Sequence, residues 1–170
     1  MKVAKFERVS MEQFTKDARK CFPLPDIDNC LSDAWQTIQM PQRATAGSAG
    51  YDFTLPFDIM LAPGETALIP TGVRVKIDDG WMLAIFPRSG LGFKYRLQLD
   101  NTVGIIDSDY YDADNEGHIM AKITNDSRDG KTLTMNAGDR FAQGIFLQYG
   151  LAVDDEASAS RNGGFGSTGL

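Results

Sequence analysis

This chain of 170 residues has a single histidine, two cysteines and a formal net charge of −6, with no run of lysine and arginine. Without a basic face it lacks the electrostatic footprint of a nucleic-acid-binding protein. No apolar run approaches the length that spans a bilayer as a helix. No signal peptide is recognisable either, so the expectation is a soluble, cytoplasmic protein. Cys21 and Cys30 are close enough in sequence that a disulfide stays open, although a reducing compartment favours a free pair. His118 follows Glu116-Gly117 in a strand context, and the expectation for it is a half-exposed structural residue with no metal or catalytic role. There is no internal repeat and no block of like charge to mark a second domain.

What is present is a β-rich pattern behind a helical segment. A chain of this length buries a real core as one domain. Residues 1–9 alternate loosely, as a strand does. Ser10 with Gln13 matches a capping box and predicts a helix over Met11–Lys20; Phe22-Pro23-Leu24-Pro25 ends it, and Ser32–Ile38 predicts a further turn or two. From Gly50 the chain changes to short β-rich runs: Tyr51–Leu55, Thr66–Pro70, Val73–Ile77, Trp81–Pro87, Arg96–Leu99, Val103–Ile106, Ile119–Asn125, Thr132–Met135 and Arg140–Tyr149. Pro63-Gly64, Asp79-Gly80, Asp129-Gly130 and Ala137-Gly138 punctuate them. Short strands at near-regular spacing define an all-β sandwich, barrel or jelly roll.

The densest chemistry lies in Pro87–Tyr110. Pro87-Arg88-Ser89-Gly90-Leu91-Gly92 joins a guanidinium, which forks onto oxyanions, to a hydroxyl and to glycines that let backbone amides approach a phosphate. Asp107-Ser108-Asp109-Tyr110 then sets two carboxylates and an aromatic ring just after the apolar run Val103–Ile106. A carboxylate beside bound phosphate is repelled unless it has a task such as activating water. The glycine-rich end of the chain, Arg161-Asn162-Gly163-Gly164-Phe165-Gly166-Ser167-Thr168-Gly169, adds an arginine, a phenylalanine and adjacent hydroxyls. Each piece has a plain alternative: a common loop tripeptide, a solvated turn, an unstructured tail. Together they read as a phosphate cradle, a base and an aromatic cover, the parts of a nucleotide hydrolase.

In this order the motifs resemble those of the homotrimeric dUTPase family. Ala46–Phe53, Pro87–Gly92, Val103–Tyr110, Gly138–Gln143 and the tail from Arg161 are similar to its five motifs. The resemblance runs from about Met40 to the C-terminus, with the first residues adding an opening strand. It implies a distorted jelly-roll or barrel-like fold with a short helical insertion over residues 11–40, one domain over residues 1–160 and a closing arm over 161–170. It further implies hydrolysis of dUTP to dUMP and pyrophosphate, limiting uracil in DNA and supplying dUMP for dTMP synthesis, by a bacterial or phage enzyme.

The resemblance also implies roles by position. Asp107 corresponds to the water-activating carboxylate, with Asp109 structural. Arg88, Ser89, Gly90 and Gln143 correspond to phosphate-binding groups, joined by Arg161, Gly166, Ser167 and Thr168 of the arm. Asn101, Val103, Gly104 and Ile106 correspond to the hairpin that reads uracil, Tyr110 to the ring on which deoxyribose packs, and Phe165 to the residue that stacks over the base. Asp52 corresponds to a supporting carboxylate. Mg²⁺ is expected to be held by the triphosphate and waters, with no direct protein ligand. Each site is expected to draw on three subunits, the arm closing when the full triphosphate is bound.

Three departures stand out. Tyr111–Asn115 lengthens the loop after the third motif, with a tolerated surface insertion the expectation and a protein regulator the alternative. Met11–Met40 is added before the first motif. Arg161 is one residue closer to Phe165 than in many members. The same fold and trimer also serve dCTP deaminases, but a deaminase is not expected to keep the Asp107 to Tyr110 arrangement. Some family members carried by phages bind repressors as well, and that added role is the second alternative.

Overall fold

The computed structural model describes residues 1–22 and 27–158. In order these form β1 (Ala4–Arg8), α1 (Met11–Cys21), α2 (Ile27–Thr37), β2 (Gln42–Arg43), β3 (Tyr51–Thr54), β4 (Ile59–Leu61), β5 (Thr66–Pro70), β6 (Val73–Ile77) and β7 (Trp81–Pro87). There follow α3 (Ser89–Tyr95), β8 (Leu97–Leu99), β9 (Gly104–Ile106), a 3₁₀ turn (Ser108–Asp112), β10 (Met120–Asn125), β11 (Leu133–Met135) and β12 (Arg140–Gln148). Among the described residues the strands pair antiparallel in four sheets, the largest ordered β2-β3-β12-β7-β9. The result is an all-β, jelly-roll-like body with two helices inserted after its first strand.

Alternation explains most of this. In β6 Val73, Val75 and Ile77 are buried while Lys76 is exposed, and in β10 Ala121, Ile123 and Asn125 turn inward. Such strands have one face on the core and one outside. β7 breaks the pattern, with Leu83, Ala84 and Ile85 all buried. Phe14, Phe53, Phe141, Ile69, Ile119 and Ile123 fill the interior. The expected strands over Thr66–Pro70, Val73–Ile77 and Trp81–Pro87 have those bounds. Four elements were not expected: the two short strands β2 and β4, α3 and the 3₁₀ turn. Ser89–Tyr95 contains two glycines, poor helix formers. The helix closes on Arg96 in the left-handed region at φ 51°, whose Nε is 3.0 Å from Asp126 Oδ2.

The N-terminal segment departs from expectation in an informative way. Ser10 does cap α1, its Oγ accepting from the Gln13 amide at 3.1 Å, but Gln13 does not reciprocate. Glu116 instead accepts from both the Ser10 amide (2.8 Å) and the Ser10 hydroxyl (2.6 Å). Gln13 turns inward and donates to Asp17 at 2.6 Å. A helix cap has therefore become a tie between the insertion and the loop before β10. His118 is a correction as well: it is fully buried, and the Gly72 amide donates to its Nε2 at 2.8 Å. Its polar partners, Gly72 and Asp17, come from segments far away in sequence, so no local pattern marks it as interior.

The loop after Tyr110 is likewise packed. The Tyr111 hydroxyl donates to Glu7, the Arg74 guanidinium lies 3.8 Å from the Tyr111 ring centre, and Ala113 is buried. Only Asp112 and Asp114 of the expected surface insertion are exposed. Cys21 and Cys30 are both free thiols, and burial pushes the Cys21 thiol up to about 11.

Two outcomes test this packing. Gly117 has φ +67° and an added Cβ would stand 2.6 Å from the Tyr110 carbonyl, whereas Gly130 at φ +71° has nothing within 4 Å. Thermal unfolding should show a loss of about 1 kcal/mol for Gly130→Ala, the left-handed cost alone, and about 3 kcal/mol for Gly117→Ala, where backbone must also move. Equal losses would deny the close approach. The second concerns acid. Burial alone would raise the Asp17 carboxyl, but hydrogen bonds from His118 and Gln13 and the nearby Lys20 outweigh it and hold the group below its ordinary value of 3.8. A lowered carboxyl stabilises the fold above its unfolded value and loses that contribution as pH falls through the folded one. Stability of Asp17→Asn should accordingly fall less steeply than wild type below about pH 4, read from denaturant unfolding at stepped pH.

Candidate active site

β7 leaves the large sheet at Pro87 and delivers Arg88, Ser89 and Gly90 into the start of α3. The Arg88 amide donates to the Phe141 carbonyl at 3.3 Å, which holds this corner against β12. The Arg88 Nε lies 3.3 Å from one oxygen of Asp52 on β3, and Arg140 Nη1 donates to the other at 3.1 Å. Asp52 is thus a bridge between two guanidinium groups, with its side chain only 12% exposed. Gln143 stands opposite Asp52 on one side and Phe86 on the other, completing a row across three strands. Gly50 makes that possible: a Cβ there would meet Gln143 Oε1 at 2.5 Å. Beside the row, Gln42, Arg43, Asp52 and Arg140 line an open cleft of about 390 Å³.

Arg140 is the residue that sequence reasoning passed over, although it belongs to the fourth motif. In a regular strand, residues three apart face opposite sides. Here a bulge intervenes: Arg140 pairs with Thr54, Ala142 with Phe53 and Gln143 with Asp52. Thr54 and Asp52 share a face, so the extra residue brings Arg140 and Gln143 to the same side. Nothing in the apolar alternation signals this.

The second group of expected site residues sits on the neighbouring edge. Asn101 and Thr102 form a tight turn, with Thr102 at φ 66° and the Val103 amide donating to the Asn101 carbonyl at 2.7 Å. The expected hairpin takes a different form: β8 pairs with β10, while β9 pairs with β7. β9 is therefore an edge strand of the five-stranded sheet. A Cβ on Gly104 would lie 3.3 Å from the Ile85 Cβ, so glycine lets the edge close on β7. Ile106 is buried against the core. Asp107 follows in extended conformation (φ −82°, ψ 160°) and opens the 3₁₀ turn, its carbonyl accepting from the Tyr110 amide at 3.2 Å. Tyr110 is 3% exposed, its hydroxyl donating to the His118 carbonyl at 2.8 Å.

The two groups do not converge within one protomer. Ile106 pairs with Leu83, so Asp107 continues past the level of Met82, while Arg88 lies beyond the other end of β7. Six residues of strand separate those levels, roughly 20 Å at the usual rise. Asn101 and Val103 lie nearer the Pro87 end than Asp107 does, since Gly104 pairs with Ile85. Arg161, Phe165, Gly166, Ser167 and Thr168 lie outside the described residues. The chain approaching them exposes Leu147, Tyr149, Leu151 and Val153 at every second position. Among the described residues no group of three or more His, Cys, Asp or Glu side chains is placed to hold a metal ion, and no helix is long and apolar enough to cross a membrane.

An all-β body that sets a bridged arginine pair, a hydroxyl and a helix start at one sheet end has the make-up of a protein handling phosphorylated small molecules. Residues 36–169 match the family model described as dUTPase. The chain is 43% identical over 138 residues to the deoxyuridine 5'-triphosphate nucleotidohydrolase of Tolumonas auensis, covering 76% of this chain and 87% of that protein. It is 41% identical over 135 residues to the protein of the same description in Lactococcus lactis, covering 78% and 89%. Among solved structures it resembles the dUTPase of Streptococcus mutans, with a TM-score of 0.60 and 38% identity over 68% of this chain and 89% of that one. It shares its fold with the dUTPase from phage phi11 of S. aureus, at a TM-score of 0.63 and 21% identity over 93% and 97%. The chain belongs to the dUTPase family.

Proposed function

We propose that this chain hydrolyses dUTP to dUMP and pyrophosphate at sites shared between copies in a homotrimer. The observation that carries the shared site is the division just described: the arginine row and the Asp107 edge belong to one chain but lie about 20 Å apart along β7. A second copy bringing its own Asp107 edge to the Arg88 row closes that gap. The exposed apolar residues from Leu147 to Val153 support a path for the arm toward a further copy.

In this reading Arg88, Ser89, the Gly90 amide and Gln143 hold the phosphates, and Asp52 keeps Arg88 and Arg140 aimed and apart. Asp107 takes a proton from water as the water oxygen bonds to the α-phosphorus, and the bond to the bridging oxygen breaks to release pyrophosphate. Asn101 with the backbone of Val103, Gly104 and Ile106 reads uracil along the open edge of β9. Tyr110, held by its hydroxyl, is a fixed wall against the sugar that leaves no room for a 2′-hydroxyl. The arm from Arg161 covers the site, Phe165 over the base and Arg161, Gly166, Ser167 and Thr168 on the phosphates, excluding water. A donor set of cations, a hydroxyl and amides suits a Mg²⁺ that arrives on the triphosphate; that ion would neutralise phosphate charge. The working compartment is the cytoplasm, where nucleotides are made.

Pyrophosphate release from dUTP, dCTP, dTTP and UTP in Mg²⁺ buffer should be confined to dUTP. Asp107→Asn should lose at least about a hundredfold in kcat. Release from no nucleotide would overturn the reading, and ammonia from dCTP would replace it with a deaminase. The division of the site has its own test. Arg88→Ala and Asp107→Asn, each inactive alone, should regain activity when co-expressed and purified as mixed trimers, because some sites then draw both intact residues from different chains. Mixed trimers as inactive as their parents would place the whole site in one protomer.

A further inference from the structure

Behind Asp107 and Tyr110 runs a buried polar chain that ends on the inserted helix. The Tyr110 hydroxyl donates to the His118 carbonyl at 2.8 Å and accepts from Asn115 Nδ2 at 2.8 Å. The His118 ring is fully buried and confined by Phe14, whose ring centre is 6.2 Å away. The Gly72 amide is 2.8 Å from Nε2 and can only donate. Nε2 must therefore be the acceptor, which leaves the proton on Nδ1, 2.8 Å from Asp17 Oδ2. Asp17 is oriented in turn by Gln13, at 2.6 Å to the same oxygen. Gly72 completes the enclosure: at φ +71° it has no room for a Cβ, which would fall 2.1 Å from Ile38 Cδ1.

We propose that α1 is a positioning element for the sugar wall, and that Asp17 is its positioning residue. Asp17 fixes the tautomer and ring of His118. The ring fixes the backbone at residue 118 through Gly72, and that backbone holds the Tyr110 hydroxyl. Removing the carboxylate leaves a buried Nδ1–H without an acceptor, so the ring must turn or shift its proton, and the Gly72 contact is lost either way. Tyr110 then keeps its packing but not its fixed height against the sugar. The helical insertion, which lies outside the motifs, thereby sets the choice of deoxyribose over ribose. This rests on the sugar-packing role proposed for Tyr110.

The test compares kcat/KM for dUTP and UTP in full-length wild type, Asp17→Ala, Asp17→Asn, Tyr110→Phe and Leu133→Ala. Asp17→Ala should reduce the preference for dUTP about tenfold, since small misplacements at a binding wall are costly. Asp17→Asn keeps an oxygen for Nδ1–H and should retain most of the preference. Tyr110→Phe cuts the chain at its other end and should match Asp17→Ala, which covers the case in which Asp17→Ala does not fold. Leu133→Ala opens the core on β11, which supplies none of these groups, so its unfolding temperature should fall with the preference unchanged. An unaltered preference in Asp17→Ala or in Tyr110→Phe, or an equal loss in Leu133→Ala, would overturn the proposal. A wild type that ignores dUTP would overturn the hydrolase reading instead, before the variants matter.

Discussion

The long ladder between β7 and β12 is the constraint on which the rest of the molecule depends. It pairs Trp81–Pro87 with Ala142–Gln148 through the centre of the largest sheet. Both strands bury core side chains, and both carry residues that face the site. At one end the ladder fixes Arg88 against Phe141 and sets Gln143 in line with Asp52. Along its flank it holds β9, and through β9 the direction in which Asp107 leaves. Backbone hydrogen bonds set these relations, so they do not depend on which side chains happen to pack nearby. The same rigidity keeps the arginine row and the Asp107 edge apart.

Much of the body could be read from alternation and turn chemistry. Val73–Ile77 and Thr66–Pro70 alternate between glycine- and proline-marked turns, and they form strands with those bounds. What escaped reading depends on partners distant in sequence. α3 contains two glycines and starts where the chain leaves a corner pinned to β12. His118 is interior because Gly72 and Asp17 meet its two nitrogens, and those partners lie 46 and 101 residues away. The motifs named Asp52, Arg88 and Gln143, and geometry joins them in one row. Motifs alone did not disclose that Asp107 stands at the other end of β7, because order along a chain carries no distance.

The inserted segment is a working part of the fold. Glu116 accepts both hydrogen bonds that Ser10 donates, Glu7 accepts from Tyr111, and Asp17 reaches His118. Each contact joins residues before the first motif to the loop behind the third. The inserted segment and the loop after Tyr110 are therefore packed together as one unit.

The bulge in β12 bears on how this chain can change over generations. Because one extra residue turns Arg140 to the side of Asp52, the stretch from Arg140 to Gln143 tolerates loss differently from replacement. Shortening it by one residue would make the ladder regular. The guanidinium, however, would project from the opposite face, and Asp52 would bridge nothing. The length of this stretch is thus fixed by the Asp52 bridge as firmly as its side chains are.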